Sequence, residues 1–347
     1  MAVPPGVPEW LPGMLRCPED EGTLMTSEHD LRCSRCDRTF PVLDGVVELL
    51  PAGLAHLGSG GGARSGERPV DHGVAWVSDE MEWWNPYYHG FHAPPFQRGR
   101  GLRGRSRERN LLRHVRERVG RPATVVEMGA GTSRTIAGLW PPASSGIRYA
   151  ATDLSRLGLV AGRQLLGDSS AAVQCDAGAW PFAAGVADVV AILGVLHHVP
   201  DWRLALRQAC RTLRPGGFLV LHEVVSKPRV LGRHRSAGVN DSWTSPHEGS
   251  ISAEDLRREL EGRGPIHSWR GESTPLRFAL LHYGRLEHRL DGSRALTAGL
   301  DVVDQLFGRT VGRRVKSLGF AEITCVWQRP AMDGPPAPAP SLYGEPS

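Results

Sequence analysis

The chain has 347 residues, of which 40% are hydrophobic and 22% are charged, proportions typical of a globular protein with a substantial core. Its formal net charge of +4 is too small to indicate nucleic-acid binding by itself, and six cysteines are too few for a disulfide scaffold. No segment approaches the ~20 apolar residues of a membrane span, and the first ten residues lack the pattern of a signal peptide, so we expect a cytoplasmic protein without a membrane partner.

Residues 1–50 contain two cysteine-bearing turns separated by a short hairpin. The first turn carries Cys17, and the second carries Cys33 and Cys36. This layout is typical of a zinc ribbon, so we predict a small ribbon-like unit here. The following stretch, 51–72, is rich in Gly, Ser and Ala and is predicted to be a flexible linker.

Residues 73–120 combine an aromatic group with a basic stretch. Seven Trp, Tyr and Phe residues lie between positions 74 and 97. The basic stretch, 98–118, contains nine Arg and only two Glu. Apolar residues recur at helical spacing within 106–119, which predicts an amphipathic helix there. We interpret the whole segment as an aromatic and basic helical lid.

Strand and helix signals alternate through residues 121–329. This alternation predicts an α/β fold with a mostly parallel sheet covered by helices on both faces. The predicted strands lie near 124–128, 148–152, 171–175, 187–193 and 217–224, and the predicted helices lie near 132–140, 155–166 and 201–213.

The second half of this region carries weaker signals. Residues 225–250 form a polar insertion, and Ser252-Ala-Glu-Asp255 is a capping-box sequence that predicts a helix to about Glu261. A further helix is predicted over about 295–317 and a last strand over 323–327. The Pro-rich tail, 330–347, is predicted to be disordered.

The most informative motif is a strand followed by a glycine turn. Gly129 and Gly131 allow a sharp turn and the close approach of a ligand. Asp153 ends the next strand, where a doubly wound sheet places an acid for a ribose diol, and Asp176 ends the third strand, where it suits an adenine amino group. Dinucleotide-binding enzymes continue the turn as G-x-G-x-x-G, and Arg134 departs from that pattern.

Two further motifs are Leu-His-His-Val at 196–199 and Leu-Arg-Pro-Gly-Gly at 213–217. With the glycine turn and the two acids, they make the chain resemble the class I S-adenosylmethionine-dependent methyltransferases, specifically the broad bacterial group that carries these two motifs, over roughly 106–224. The resemblance implies a Rossmann-like, seven-stranded, mostly parallel sheet and S-adenosylmethionine as cofactor. Ser133 stands where many relatives have a third Gly.

The same resemblance implies which residues hold the cofactor. The glycine turn approaches its methionine part, Asp153 binds both ribose hydroxyls, and Asp176 binds adenine. The implied cofactor-binding residues are Glu127, Gly129, Ala130, Gly131, Asp153, Leu154, Asp176, Ala177, Leu193 and Gly194.

Methyl transfer requires alignment of the acceptor and exclusion of water, and a general base helps only with a hydroxyl or a protonated amine. His197, His198 and His222 are the candidate bases, and His222 could pair with Glu223. The alternative for His198 is that it packs against the cofactor. Proximity alone could then suffice for catalysis.

Trp84 and Tyr88 are the aromatic residues we expect to contact the substrate. A ring in the lid could face the positive sulfonium. The alternative is that these rings pack the N-terminal helices on the sheet.

Three function classes remain open at this stage. The first is transfer to a small-molecule acceptor at O, N or C in specialised metabolism. The second is an RNA base methyltransferase in which the Arg-rich segment 98–118 tracks phosphates, although such charge runs are usually solvated helix faces. The third is a non-catalytic binding module with a methyltransferase fold.

Some methyltransferases of this group carry an N-terminal zinc ribbon, and residues 17–50 resemble it. Asp20 stands where a cysteine is expected. Zinc accepts carboxylate oxygen, so Cys17, Asp20, Cys33 and Cys36 could form a tetrahedral site. The alternative is a metal-free ribbon held together by its small core.

Overall fold

In the computed structural model of the protein, the described residues are 3–57, 75, 77–82, 84, 115–119, 123–133, 136, 146–167, 170–225, 251–272, 302, 306 and 322–331. Several predicted features lie wholly or mostly outside these residues. They are the helices over 132–140 and 295–317, most of the lid and its Arg-rich segment, Tyr88, the insertion at 225–250 and the tail.

Eleven strands of the described chain form one continuous sheet. In chain order they are β1 (Leu24–Thr26), β2 (Asp30–Cys33), β3 (Thr39–Leu43), β4 (Val46–Glu48), β5 (Thr124–Met128), β6 (Arg148–Asp153), β7 (Ser170–Gln174), β8 (Ala187–Leu193), β9 (Leu213–Val224), β10 (Ile266–Glu272) and β11 (Glu322–Gln328). Their order across the sheet is β1-β2-β3-β4-β7-β6-β5-β8-β9-β11-β10. The strands from β4 to β9 pair in parallel, and both ends of the sheet are antiparallel.

The predicted α/β, Rossmann-like class is confirmed, but the strand count of seven is wrong for the sheet as a whole. Seven strands, from β7 to β10 in sheet order, make up the predicted core. The other four belong to the N-terminal unit, because β4 pairs in parallel with the edge of β7, with Val46 opposite Ala172. Sequence patterns do not reveal such pairing, since strand neighbours distant in the chain are set by tertiary structure.

The N-terminal unit is attached to β7 and to the segment that follows it. The Leu49 N–H donates to the Gln174 carbonyl (2.8 Å), and the Arg16 N–H donates to the Pro181 carbonyl (2.8 Å). Residues Ala52–Leu57, at the start of the predicted linker, form a 3-10 helix in which Leu54 is fully buried. The ribbon is therefore built into the sheet rather than tethered to it.

Three α-helices have defined bounds in the described chain: α1 (Arg156–Leu166), α2 (Trp202–Thr212) and α3 (Ala253–Glu261). Helix α1 packs on one face of the sheet, and α2 and α3 pack on the other. The Ser252 hydroxyl accepts from the Asp255 N–H (3.3 Å), which confirms the predicted start of α3. Among the described residues, no helix has the length and apolar content needed to cross a membrane.

Two stretches differ from the prediction. No strand is predicted over Ile266–Glu272, yet β10 forms there as an edge strand with a register shift between Ile266 and Ser268. A helix end and turn are predicted at 213–217, but β9 begins at Leu213. The Pro-Gly-Gly sequence produces a register shift within that strand, with Gly216 at a φ of 82°.

Candidate active site

The glycine turn after β5 adopts backbone conformations that favour glycine. Gly129 has a φ of 66° and Gly131 a φ of 51°. A Cβ on Gly129 would lie 2.4 Å from a side-chain methyl carbon of Val195, so the turn packs directly against the loop that follows β8. The Ala130 N–H donates to the carbonyl of Thr152 (2.7 Å), which fixes the turn against the end of β6.

The Asp153 carboxylate at the end of β6 is held by main-chain donors. Its Oδ2 accepts from the Gly131 N–H (2.7 Å) and its Oδ1 from the Ser155 N–H (2.8 Å). Burial raises the pKa of Asp153 to about 6, although the N–H groups of Ser155, Gly131 and Leu154 work in the opposite direction. Each carboxylate oxygen has a second acceptor site, so this fixed group can also receive hydroxyl donors.

Asp176 lies at the neighbouring strand end. It is buried, and its Oδ1 accepts from the Gly178 N–H (3.0 Å), which caps the 3-10 helix Ala177–Ala179. The Cys175 N–H donates to the Asp153 carbonyl (3.1 Å). The two predicted cofactor acids are therefore brought together at adjacent ends of parallel strands, the usual ligand position of open α/β sheets.

The remaining predicted cofactor residues occupy the same edge of the sheet, with one exception. Leu193 ends β8, and Gly194 follows it with a φ of 77°. Glu127 is instead buried within β5, where its carboxylate accepts a hydrogen bond from the Tyr149 hydroxyl. Burial and the charge of Glu127 raise the pKa of Tyr149 well above its usual value.

His197 lies in the 3-10 helix Leu196–His198 that follows β8, and it is buried against β9. Its Nδ1 shares a hydrogen bond with Oε1 of Glu223, which is fully buried. Oε2 of Glu223 accepts from the N–H groups of Val195 (3.2 Å) and Leu196 (2.8 Å). Glu223 thus holds both the histidine and the loop that contacts the glycine turn.

The pKa of Glu223 lies below its usual value. Burial works to raise it, but the charge of His197 and its hydrogen bond, together with the main-chain N–H groups of Leu196 and Val224, outweigh burial. Glu223 is therefore a carboxylate at neutral pH.

His222 does not pair with Glu223, and that interpretation is wrong. Successive residues of a strand face opposite sides of a sheet, so the two side chains have different partners. The Nε2 of His222 lies 3.7 Å from Oε2 of Glu322 on β11. His222 is therefore separated from the His197–Glu223 pair by the sheet itself.

His198 contacts an acid that the sequence did not indicate. Its Nδ1 lies 3.3 Å from Oε2 of Glu80, and the Trp84 indole N–H donates to the same oxygen (3.1 Å). The Trp84 ring meets the His198 ring edge-on, with centroids 5.4 Å apart, and the rings of His197 and His198 are 4.0 Å apart. Of the two predicted substrate residues, Trp84 thus lies at the histidines, whereas Tyr88 is outside the described residues.

Helical residues 77–82 and 84, which we call the strap, extend between two strand ends. Val77 belongs to a cluster with Leu50 and Leu54 that packs on Leu154, after β6. Seven residues further, Trp84 reaches the loop after β8. Seven helical residues span about 10 Å, close to the roughly 9.6 Å across two strand spacings. The strap therefore contacts the segments that follow β6 and β8, which lie on either side of β5.

The four predicted metal ligands are also brought together. One donor atom from each of Cys17, Asp20, Cys33 and Cys36 lies within 4.8 Å of all the others. The Sγ atoms of Cys17 and Cys36 are 3.7 Å apart, and Sγ of Cys33 is 3.3 Å from Oδ1 of Asp20. A tetrahedral zinc ion would place such atoms about 3.8 Å and about 3.5 Å apart, so the donor set fits zinc.

Comparison with known proteins identifies the central part of the chain. A sequence model described as a methyltransferase domain matches residues 126–221. The chain contains a methyltransferase domain. The prediction of a methyltransferase is confirmed at the level of this domain, which includes the glycine turn, both acids and the two adjacent histidines.

One curated relative matches the chain over a short range. The chain is 42% identical over 62 residues to 27-O-demethylrifamycin SV methyltransferase of Amycolatopsis mediterranei (strain S699). The match covers 18% of this chain and 23% of that protein. The chain thus spans less than a quarter of the length of this relative.

Two solved structures are similar to the chain at low sequence identity. Geranyl diphosphate C-methyltransferase from Streptomyces coelicolor A3(2), in complex with S-adenosyl-L-homocysteine, has 17% identity, a TM-score of 0.43, and coverage of 65% of this chain and 75% of that chain. Haemonchus contortus phosphoethanolamine N-methyltransferase 2, in complex with S-adenosyl-L-methionine, has 16% identity, a TM-score of 0.42, and coverage of 65% and 52%.

Proposed function

We propose that the protein transfers a methyl group from S-adenosylmethionine to a small-molecule acceptor at O, N or C, in the specialised metabolism of a bacterial cytoplasm. The observation that carries the proposal is the Asp153 carboxylate, which two main-chain N–H groups fix beside the glycine turn. S-adenosylmethionine supplies, when bound, a methyl group activated by a sulfonium.

The residues of the methyltransferase domain have separate tasks in this proposal. Asp153 accepts hydrogen bonds from the two ribose hydroxyls, and Asp176 accepts one from the adenine amino group. The strap covers the glycine turn and excludes water from the acceptor. His197, His198 and Trp84 line the acceptor side, because they lie together beyond the end of β8.

A small-molecule acceptor is favoured by the name of the curated relative, which methylates a rifamycin. RNA remains the alternative, because the segment 98–118 contains nine Arg. A non-catalytic module is the second alternative.

An assay with labelled S-adenosylmethionine separates these classes. The protein is incubated with this cofactor and either a small-molecule extract or total RNA of its source organism. We expect label in the small-molecule fraction. Salt-sensitive labelling of RNA would favour the RNA alternative. Cofactor binding by calorimetry without any transfer would favour the non-catalytic module.

Cofactor affinity should depend on pH through Asp153. Its pKa of about 6 lies above the usual value, so the carboxylate that accepts the ribose hydroxyls is present above pH 6 and is lost below it. We expect the affinity for S-adenosylhomocysteine to be constant between pH 7 and 8 and to fall by up to about tenfold per pH unit below 6. Calorimetric titrations at pH 5, 6, 7 and 8 measure this, and a flat profile would contradict it.

We also propose that the ribbon holds one structural zinc ion through Cys17, Asp20, Cys33 and Cys36. The fit of the donor distances supports this, and the Arg35 N–H, which donates to Sγ of Cys33 (3.3 Å), would stabilise a thiolate. The metal-free ribbon remains the alternative.

Metal analysis of the purified protein tests the zinc site. We expect about one zinc per chain and a lower Tm after chelation, because metal binding contributes directly to folding. Cys33→Ser should lose the zinc, whereas Cys210→Ala, a buried thiol outside the ribbon, should retain it. Equal zinc content in these two variants would contradict the assignment.

A further inference from the structure

The strap brings a buried carboxylate, Glu80, to one of the two adjacent histidines. Glu80 is 3% exposed, and its Oε2 contacts both Nδ1 of His198 (3.3 Å) and the Trp84 indole N–H (3.1 Å). We propose that Glu80 is a positioning residue that makes His198 the general base for a hydroxyl acceptor. This inference rests on the proposed methyl transfer.

The contact determines which nitrogen of His198 can act as a base. A carboxylate next to Nδ1 favours the tautomer with the proton on that atom, and Nε2 then carries the lone pair that accepts a proton. The Trp84 indole donates to the same carboxylate oxygen and so fixes its position. The imidazole is thereby oriented by a carboxylate, as in other base-assisted active sites.

Burial distinguishes the two histidines. The His198 side chain is 15% exposed and that of His197 is 7% exposed. His197 is bound to Glu223, which is fully buried within β9. His198 is therefore the member of the pair that an acceptor can reach, and His197 packs behind it with ring centroids 4.0 Å apart.

The charge arrangement favours a hydroxyl over a protonated amine. Glu223 is engaged by His197 and main-chain donors, and Glu80 is engaged by His198 and Trp84. Each carboxylate already faces a proton donor, so a cationic acceptor would compete with these contacts. A neutral hydroxyl requires only a proton acceptor, which Nε2 of His198 provides.

The step balances without a further reactant. The acceptor oxygen forms a bond to the methyl carbon while the carbon–sulfur bond breaks, and the electron pair of that bond remains on sulfur. The hydroxyl proton passes to Nε2 of His198. Glu80 then faces an imidazolium rather than a neutral ring, so its charge stabilises the protonated base.

Three variants test the proposal: Glu80→Gln, Glu80→Asp and, as a matched control, Glu254→Gln on the exposed surface of α3. Nitrogen NMR of His198 reports its tautomer and needs no acceptor. We expect the Nδ1-protonated tautomer in the wild type, Glu80→Asp and the control, and a shift away from it in Glu80→Gln. Affinity for S-adenosylhomocysteine should change less than about twofold in all three.

Transfer of label to the small-molecule extract provides the second readout. Glu80→Gln should slow transfer by about 10²-fold or more, with partial recovery in Glu80→Asp. Boiling hydriodic acid should release the labelled methyl as iodomethane, because it cleaves aryl and alkyl methyl ethers, whereas a label on carbon or nitrogen is retained under these conditions. Label on carbon or nitrogen would overturn the hydroxyl assignment.

The outcomes separate this inference from the proposed function. Failure of the wild type to bind S-adenosylhomocysteine would reject the methyl-transfer proposal itself. With binding intact, an unchanged His198 tautomer or unchanged transfer in Glu80→Gln would overturn the role of Glu80 alone. If Glu80→Gln does not fold, Glu80→Asp tests the role of Glu80 instead. The shorter side chain places the carboxylate farther from Nδ1 of His198, so transfer should still be measurably slower while the tautomer of His198 is kept.

Discussion

Replacing Glu223 with glutamine is expected to lower the free energy of unfolding by about 3–5 kcal/mol. The carboxylate is fully buried and receives four donors: the N–H groups of Val195 and Leu196 at Oε2, and His197 and the Val224 N–H at Oε1. A glutamine has one acceptor oxygen, and its amide N–H groups would face donors at the other position. The variant therefore leaves buried donors unsatisfied.

Urea unfolding at pH 7 measures this effect, with Glu254→Gln as a surface control that should change stability by less than about 0.5 kcal/mol. The sign of the pH dependence follows from the lowered pKa of Glu223. Its contribution to stability is present above the unfolded pKa of about 4.5 and is lost as the pH falls further. A Glu223→Gln variant as stable as the control would show that the hydrogen bonds of Glu223 to His197 and to the main chain do not stabilise the fold.

The positions of the glycine turn and of Asp153 and Asp176 were predictable because their signals are local. Gly129 directly follows one apolar strand, and Asp153 ends the next. The carboxyl ends of parallel strands meet at one edge of the sheet. The sequence therefore indicates their proximity without knowledge of side-chain packing. The same reasoning correctly indicated that His197 and His198 lie at this edge.

The partners of those histidines could not be predicted, because they depend on tertiary contacts. Glu223 reaches His197 from the next strand, and its neighbour His222 faces the other side of the sheet. Glu80 comes from a segment far away in the chain, where it is one of three acids, with Asp79 and Glu82, among aromatic residues. Its spacing of four residues from Trp84 was the only available signal, since such residues share a helix face.

The reason that a serine, Ser133, fits in place of a third glycine is visible only in the three-dimensional structure. This serine stands where relatives have a third glycine, and it adopts a φ of 55° while fully buried. Such a conformation costs a non-glycine residue roughly 1 kcal/mol or more. A Cβ on Gly162 of α1 would lie 3.1 Å from the Ser133 hydroxyl oxygen, so a glycine on the facing helix provides the space that the serine fills.

Replacing Asp153 with asparagine is expected to weaken S-adenosylhomocysteine binding by about 10²–10⁴-fold, because hydrogen bonds to a charged group contribute about 1.5–3 kcal/mol each and the proposed site has two of them. The substitution also leaves one main-chain N–H without its acceptor, since Gly131 and Ser155 each donate to a different carboxylate oxygen. Isothermal calorimetry measures the affinity, and thermal unfolding shows whether the variant is folded. Asp255→Asn, on the solvent side of α3, is the matched control.

The residual binding of Asp153→Asn provides a second and more specific result. The expected decline in wild-type affinity below pH 6 comes from protonation of this carboxylate, and an amide does not titrate in that range. The variant should therefore bind weakly and equally at pH 5 and pH 8, whereas Asp255→Asn should retain the wild-type profile. If Asp153→Asn bound with wild-type affinity, or kept the pH dependence, the ribose hydroxyls would have to be held elsewhere, and the proposed cofactor site would be wrong.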